Sequence, residues 1–222
     1  MSETAPLSET AHPARPALRG MLHLAGFVVA CAVGAVFLTT VDGRRLVAAA
    51  VFAAAVVAML GASSLYHRVT WSPRARLRMR HLDHAGIYLL IAGTYTSVGL
   101  LALHGSLQHV VLGVVWGGAA AAILAKLFWD SAPKWVSAVV GVALGWVGIV
   151  AMPQIARTAG PAAVALLGAG GLAYTAGAVV YARRKPDPLP AVFGYHEMFH
   201  ALTLVALVCQ YVAIAFFVVR VG

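Results

Sequence analysis

Residues 46–67 read LVAAAVFAAAVVAMLGASSLYH, and no charged residue lies between Arg45 and Arg68. A helix that crosses the hydrocarbon core of a bilayer needs about 20 mostly apolar residues, so this stretch is long enough to span a membrane. The segment that follows it, residues 68–80, holds five arginines. The stretch therefore predicts a transmembrane helix whose last residue, His67, lies next to a strongly basic loop.

Six other runs are also mostly apolar, and charged, proline-containing or polar segments separate them. Together they predict an all-α bundle of seven transmembrane helices, over residues Met21–Thr40, Leu46–His67, Leu82–Leu103, Val110–Trp129, Trp135–Met152, Pro161–Ala182 and Phe193–Val219. We expect Pro153 to end the fifth helix. Residues 1–20 are expected to be a disordered cytoplasmic tail, and residues 21–222 a single membrane domain.

The composition excludes the main alternatives to a membrane protein. Of the 222 residues, 61% are hydrophobic and only 10% are charged. An ordinary soluble domain has about 25% charged residues. A soluble protein of this size could not bury so much apolar surface in one core. Disordered chains are poor in apolar residues, so the chain as a whole is not disordered either.

The basic residues predict which way the helices cross the membrane. With the N-terminus inside, twelve of the sixteen Lys and Arg residues lie on the cytoplasmic side, and only Arg44, Arg45, Arg157 and Arg220 lie outside. Cytoplasmic loops of membrane proteins carry an excess of Lys and Arg, so this split favours a cytoplasmic N-terminus and an external C-terminus. The net charge of +9 is thereby attributed to membrane topology, and nucleic acid is not expected as a partner.

A few ionisable residues fall inside the predicted helices, where they are costly and usually functional. His67 ends the second helix, Asp83 begins the third, and His196 and His200 begin the seventh. In the predicted topology these helix ends all face the cytoplasm, so the four side chains can meet at one depth. The other histidines near helix ends, His23 among them, are interpreted as interfacial residues whose polar ends point towards the headgroups.

The spacing of His196 and His200 predicts a metal site. Residues four apart lie on one face of a helix, so the two imidazoles can bind the same ion. His67 is the natural third ligand, and three histidines with an open fourth position are typical of catalytic zinc. Such zinc lowers the pKa of a bound water molecule. Asp83 is expected to orient this water, to act as its base or to be a fourth ligand, and Ser63 to bind the water or a substrate oxygen.

A second interpretation competes with this one. Residues 196–200 read HEMFH, which matches the H-E-x-x-H pattern of zinc proteases. In that pattern the Glu is the general base, and this role would fall to Glu197. Glu197 also has an ordinary structural explanation, because a carboxylate in the first turn of a helix is stabilised by the helix dipole.

Several longer motifs decide between the two interpretations. The stretches Ser63-Ser-Leu-Tyr-His67, Leu82-Asp-His-Ala-Gly-Ile-Tyr-Leu-Leu-Ile-Ala-Gly-Thr-Tyr-Thr96 and Phe193-Gly-Tyr-His-Glu-Met-Phe-His200 resemble the hemolysin III proteins, the bacterial branch of the progestin and adipoQ receptor (PAQR) family. The resemblance covers nearly all of residues 21–219. At the start of the first helix, only His23 matches the family's usual pattern.

The resemblance implies a Zn²⁺ ion bound by His67, His196 and His200, with Ser63 and Asp83 beside it. It also implies a multi-pass protein of the bacterial cytoplasmic membrane that acts in membrane-lipid homeostasis and contacts membrane lipids. We therefore expect a zinc-dependent, ceramidase-like hydrolase of lipid amides. The alternatives are a non-enzymatic sensor or receptor-like protein with a structural zinc, a cytolysin and, least favoured, an intramembrane zinc protease.

The predicted orientation can be tested with reporter fusions. A reporter enzyme that is active only outside the cytoplasm should be active when fused after Gly222 and silent when fused after Arg80. The expected difference follows from the unequal distribution of basic residues. The opposite pattern of reporter activity would show that the chain is inserted with its N-terminus outside.

Overall fold

The computed structural model describes residues 16–129 and 131–221, and only the backbone of Lys134. Within these residues the chain forms eight α-helices: α1 (Met21–Thr39), α2 (Gly43–Arg68), α3 (Pro73–Ala102), α4 (Gly105–Phe128), α5 (Lys134–Trp146), α6 (Met152–Thr158), α7 (Pro161–Arg183) and α8 (Tyr195–Ala213). A 3₁₀ turn, Val147–Ala151, joins α5 to α6, and a π-helical turn, Ile214–Val218, extends α8.

These elements make seven spans in the described part of the chain, each long and apolar enough to cross a membrane. The fifth span consists of α5, the 3₁₀ turn and α6. The outer surface is also apolar, since Val36, Leu172 and Val208 are each more than 60% exposed. Apolar side chains exposed on all sides of a helical bundle are suited to contact with lipid rather than water. The predicted all-α bundle of seven spans is confirmed.

Two predicted helix boundaries are wrong by more than five residues. The third helix begins at Pro73 instead of Leu82, so most of the arginine-rich segment predicted as a loop is helical. Arg is a good helix former, and Pro is favoured in the first turn of a helix, so nothing in this segment opposes helix formation. Hydropathy marks the part of a helix that lies in lipid, and here the helix continues beyond it.

The fifth span passes through Pro153, which was expected to end it, and continues to Thr158. The span continues past Pro153 because the helix is interrupted and restarted at the 3₁₀ turn. The Tyr95 hydroxyl donates a hydrogen bond to the Gly145 carbonyl and accepts one from the Gly148 amide, both at 2.6 Å. A side chain inserted into the backbone ladder lets the helix stop and restart. Pro153 therefore lies in the first turn of α6, where Pro is tolerated.

The order of packing brings the first and the last helix together. Successive helices pack against each other from α1 to α4, and α7 packs against α5 and α8. Helix α1 contacts both α2 and α8, which closes the bundle. The first turns of α8 therefore lie beside the last turn of α2. Of the predicted N-terminal tail, residues 1–15 lie outside the described residues, and residues 16–20 form a turn that leads into α1.

Small residues allow α2 and α3 to approach closely. A Cβ atom at Gly93 would lie 2.6 Å from the Cβ atom of Ala55 and 3.3 Å from the Val51 carbonyl oxygen. At Gly86 it would lie 3.1 Å from the Met59 Cα atom. Small residues at helix contacts are how membrane helices gain van der Waals packing without a hydrophobic driving force. This close contact sets the distance between side chains of α2 and α3 at the end of the pair.

We predict that Gly93→Ala destabilises the protein and that Gly117→Ala does not. The new methyl group at position 93 would force α2 and α3 apart, at a cost of about 1–3 kcal/mol. Gly117, on α4, has nothing within 4 Å of an added Cβ atom. There the change should be neutral or stabilising by up to about 1 kcal/mol. Melting temperatures in detergent measure both effects, and equal melting temperatures for the two variants would contradict the close packing.

Candidate metal centre

Three histidines meet at the end of the bundle that carries most of the arginines. His67 lies in the last turn of α2, and His196 and His200 lie in the first two turns of α8. One ring nitrogen from each residue lies within 4.8 Å of the other two. The structure therefore brings together the three predicted ligands, which could bind one metal ion.

The distances suit a metal with tetrahedral coordination. The Nε2 atoms of His67 and His196 are 3.2 Å apart. Two nitrogens bound to one zinc ion at about 2.0–2.1 Å in tetrahedral geometry lie about 3.3–3.4 Å apart. His200 is almost fully buried, and its Nδ1 atom has no hydrogen-bond partner among the residues that the structure describes. Buried polar atoms are ordinarily paired, so an unpartnered nitrogen beside two other imidazoles fits a site built for a cation.

The first turn of α8 positions two of these histidines. Glu197 accepts a hydrogen bond from the Gly194 amide at 3.0 Å, and Asp187 accepts one from the Tyr195 amide at 2.8 Å. Free amide groups at a helix N-terminus need such acceptors. Because the two carboxylates hold the helix start in place, His196 and His200 follow on one face with a defined orientation.

Glu197 is fully buried, and its charge is paired with Arg19. The Arg19 Nε atom lies 2.5 Å from the Glu197 Oε1 atom. The segment around Arg19 is also held by backbone bonds, from the Ala17 amide to the Ala191 carbonyl and from the Leu18 amide to the Val192 carbonyl. Both oxygens of Glu197 are therefore engaged, which argues against its use as the base of a zinc protease.

Asp83 and Ser63 lie beside the three histidines, as their predicted roles require. The Asp83 Oδ2 atom is 3.9 Å from the His67 Nε2 atom. The Ser63 hydroxyl is hydrogen-bonded to the His23 Nδ1 atom at 2.8 Å and lies beside the Asp83 carboxylate. Ser63 is four residues before His67 on α2, so both side chains are on one helix face. The two predicted residues are thus neighbours next to the three histidines.

His23 was interpreted as an interfacial residue, but the structure places it inside the site. It is only 2% exposed, and its ring stacks on His200 with the ring centroids 3.7 Å apart and the planes inclined by 8°. Stacking contacts the face of the His200 ring and leaves its nitrogen-bearing edge available. The role of His23 was missed because hydropathy cannot distinguish a histidine that faces lipid headgroups from one that faces the bundle. Its match to the family pattern was the only available signal.

The site lies between two cavities. One, of about 180 Å³, runs inside the bundle and is lined mainly by apolar side chains such as Leu90, Val98 and Leu167. The other, of about 420 Å³, has a polar lining that includes four basic side chains. Asp83, His84, Tyr181 and His196 line both cavities. The histidine cluster can therefore be reached both from an apolar chamber and from a basic one.

Comparisons with known proteins agree with this architecture. The profile of the family described as "Haemolysin-III related" matches residues 11–211. The chain belongs to the haemolysin III family. A "Hemolysin-3 homolog" of Bacillus subtilis (strain 168) is 28% identical over 176 residues, which are 79% of each chain. The "Hemolysin-3" of Bacillus cereus is 31% identical over 156 residues, 70% of this chain and 68% of the relative.

The family assignment confirms the resemblance predicted from the motifs. Together with the seven apolar spans, it identifies this haemolysin III protein as an integral, multi-pass membrane protein. The matched region contains Arg19, His23 and every residue of the histidine cluster. The candidate metal centre is therefore part of the region that the family shares, and not of an added segment.

We predict about one metal ion per chain, and its loss when one ligand is removed. His67→Ala, His196→Ala and His200→Ala should each lower the metal content, measured by elemental analysis of purified protein. They should also lower the melting temperature, because metal binding is linked to folding. His109→Ala is the matched control, since this histidine is exposed and bonds only to the Gly105 carbonyl of its own helix.

Glu197→Gln separates the two interpretations of the H-E-x-x-H pattern. The amide oxygen of glutamine can still accept the bond from Gly194, so the metal content should be close to that of the unchanged protein. If Glu197→Gln lost the metal and His67→Ala kept it, the result would contradict the three-histidine site and favour the protease alternative.

Proposed function

We propose that this protein is a zinc-dependent hydrolase of lipid amides in the bacterial cytoplasmic membrane, where it acts in membrane-lipid homeostasis. The observation that carries the proposal is the position of the three histidines, with Asp83 and Ser63, at one end of an apolar cavity inside the bundle. A lipid is the substrate class that such a cavity suits, because its walls are lined mainly by apolar side chains.

His67, His196 and His200 would hold the ion, and zinc is the metal we propose for them. Neutral imidazole nitrogens suit zinc, and catalytic zinc sites commonly have three protein ligands and one open position. When bound, zinc supplies Lewis acidity, which polarises a carbonyl group and makes a water molecule more acidic. His23 supports the arrangement by stacking on His200, and thereby fixes the plane of one ligand ring.

Asp83 is the proposed general base. Its carboxylate is close to the ligand cluster and takes a proton from the attacking water molecule. The water oxygen adds to the carbonyl carbon of the amide, and the C–N bond then breaks. The proton held by Asp83 passes to the leaving nitrogen, so the products are a fatty acid and an amine. Ser63 lies beside Asp83, and its hydroxyl is proposed to bind the water molecule or a substrate oxygen.

The apolar cavity is proposed to hold the acyl chain of the substrate. Along α3 its lining includes residues from Asp83 to Val98. At 1.5 Å per residue, these positions extend over about 22 Å of the helix axis. An extended acyl chain fits a cavity of this shape, with its carbonyl group at the histidine end. The apolar surroundings also keep bulk water from the reacting groups, which strengthens electrostatic interactions there.

A non-enzymatic sensor is the second candidate. It is favoured by the fact that the three ligands join α2 to α8, which are far apart in sequence. A metal ion at this position would pin the two helices together and stabilise one arrangement of the bundle. In this alternative Asp83 and Ser63 have structural roles only, and no lipid is hydrolysed.

We predict that Asp83→Asn lowers the rate of lipid-amide hydrolysis by about 10²–10⁴-fold while the zinc remains bound. Asparagine keeps the shape of the side chain but cannot accept the proton, and positioned acid–base groups contribute about this much. Ser63→Ala should cost less, about tenfold, because it removes hydrogen bonds worth about 0.5–1.5 kcal/mol each. The measurement is fatty acid released from acyl-amide lipids by purified protein, with zinc content determined in parallel.

The sensor alternative makes a different prediction for the same experiment. Fully zinc-loaded protein would hydrolyse none of the acyl amides, and any effect of Asp83→Asn would follow zinc loss or a lower melting temperature. That result would exclude the hydrolase and leave the sensor.

A further inference from the structure

Polar side chains line the apolar cavity at a second level, far from the histidine cluster. Thr94 lies eleven residues after Asp83 on α3, and Gln210 lies ten residues after His200 on α8. At 1.5 Å per residue, both are about 15 Å further into the bundle than the histidine end. The Thr94 hydroxyl donates a hydrogen bond to the Gln210 Oε1 atom at 3.2 Å. The two side chains thus form a polar pair in the wall of the cavity.

Only one end of the Gln210 amide group is engaged. The bond with Thr94 is the single hydrogen bond that this side chain makes within the part of the chain that the structure describes. The NH₂ end of the amide carries two further donors. Polar groups in apolar surroundings are costly unless they are hydrogen-bonded. Because Gln210 lines the cavity, its unused donors are available to a molecule inside it.

The Tyr174 hydroxyl is the second unused group in this wall. Its oxygen is buried and has no hydrogen-bond partner among the described residues, and its side chain lines the same cavity. Buried polar groups are ordinarily paired, and an unpaired one destabilises the fold. A phenylalanine would fill the same space without this cost. Packing therefore gives no reason for the hydroxyl, whereas a bond to a molecule in the cavity does.

Tyr174 and Gln210 lean towards the same depth. A Cβ atom at Gly170 would lie 3.3 Å from the Gln210 Cγ atom, and one at Gly177 would lie 3.4 Å from the Leu202 Cβ atom, so α7 and α8 run antiparallel with this face of α7 in contact. Tyr174 is one turn from Gly170 on that face. Helical side chains point back towards the N-terminus of their helix, so Tyr174 leans away from the histidine end and Gln210 leans towards it.

Other polar side chains of the cavity wall are already engaged. The Thr203 hydroxyl donates to the Phe199 carbonyl, and the Thr175 hydroxyl donates to a carbonyl of its own helix and accepts a bond from the Trp146 ring nitrogen. The Tyr95 hydroxyl bridges two backbone groups of the fifth span. Unused donors at Tyr174 and Gln210 are therefore a local feature. We call Thr94, Tyr174 and Gln210 the inner polar site.

We propose that the inner polar site binds a hydroxyl group carried midway along the acyl chain of a lipid. A hydroxyl oxygen has two lone pairs, so it can accept one hydrogen bond from Tyr174 and one from Gln210. An extended chain advances about 1.3 Å per C–C bond, which places roughly its twelfth carbon about 15 Å from the carbonyl carbon. This register rests on the proposed function, which puts the carbonyl group at the histidines. The inner polar site itself does not depend on hydrolysis.

Binding is tested with full-length protein in a neutral detergent and three fatty acids of eighteen carbons. One has no hydroxyl group, one has it on the twelfth carbon, and one has it on the last carbon. We expect the acid with the mid-chain hydroxyl to bind about tenfold more tightly than the other two, because a net hydrogen bond contributes up to about this factor. The terminal hydroxyl would lie beyond the inner polar site and gain nothing from it.

Two variants and a matched control assign the preference to named side chains. Tyr174→Phe and Gln210→Leu should each remove most of the tenfold preference and leave the affinity for the unsubstituted acid unchanged. Tyr211→Phe deletes the same hydroxyl from a neighbour of Gln210 whose ring packs against Phe37, and it should keep the preference. Without lipid, Tyr174→Phe should melt at the same temperature as the unchanged protein or higher, because the hydroxyl that it removes is unpaired.

Three outcomes would overturn the proposal. The first is equal affinity for the three acids. The second is a preference for the mid-chain hydroxyl that survives in both Tyr174→Phe and Gln210→Leu. The third is a lower melting temperature of lipid-free Tyr174→Phe, which would show that the hydroxyl bonds to a structural water molecule and serves the fold alone.

A hydrolysis experiment separates this proposal from the proposed function. Acyl amides of the unsubstituted and the mid-chain hydroxy acid are compared in the unchanged protein and in Tyr174→Phe. If neither amide is hydrolysed but the difference between the binding probes persists, the hydrolase is excluded and the inner polar site stands. If both amides are hydrolysed with the same KM, and Tyr174→Phe changes neither value, the hydrolase stands and the inner polar site is wrong.

Discussion

The hydrogen bond from the Gly194 amide to Glu197 is the interaction on which the candidate metal centre depends. A fully buried carboxylate inside an apolar bundle is unfavourable unless it is paired. With its charge paired, Glu197 can also accept the hydrogen bond from the Gly194 amide, which holds the start of α8. The orientation of His196 and His200 follows from that start, because both lie on the face of α8 that its first turn sets. The N-terminal segment is therefore part of the site, although it precedes the first membrane span.

The other half of the site comes from the contact between α2 and α3. Glycines at positions 86 and 93 allow these helices to lie so close that backbone atoms nearly touch side chains across the interface. At the end of this pair, Ser63 and His67 on α2 meet Asp83 on α3. The glycine contacts, deep in the bundle, thus determine a geometry near its surface.

The sequence was a good guide to features that depend on residues close together in the chain. Apolar length predicts the seven spans, and the four-residue spacing of His196 and His200 predicts their shared face. The sequence was a poor guide where a group far along the chain determines the local structure. The restart of the fifth span at Met152 depends on Tyr95, whose hydroxyl reaches the backbone from another helix. Likewise Arg19 and His23 belong to the site only through partners far along the chain, and hydropathy does not mark them.

The separation of the ligands along the chain has a consequence for biosynthesis. His67 and His196 are 129 residues apart, in the second and the seventh span. A chain emerging from the ribosome has four complete spans between these ligands to insert before the third and last imidazole arrives. The histidine cluster is therefore complete only when the last span has been made. Any function that requires all three imidazoles is absent from every shorter intermediate.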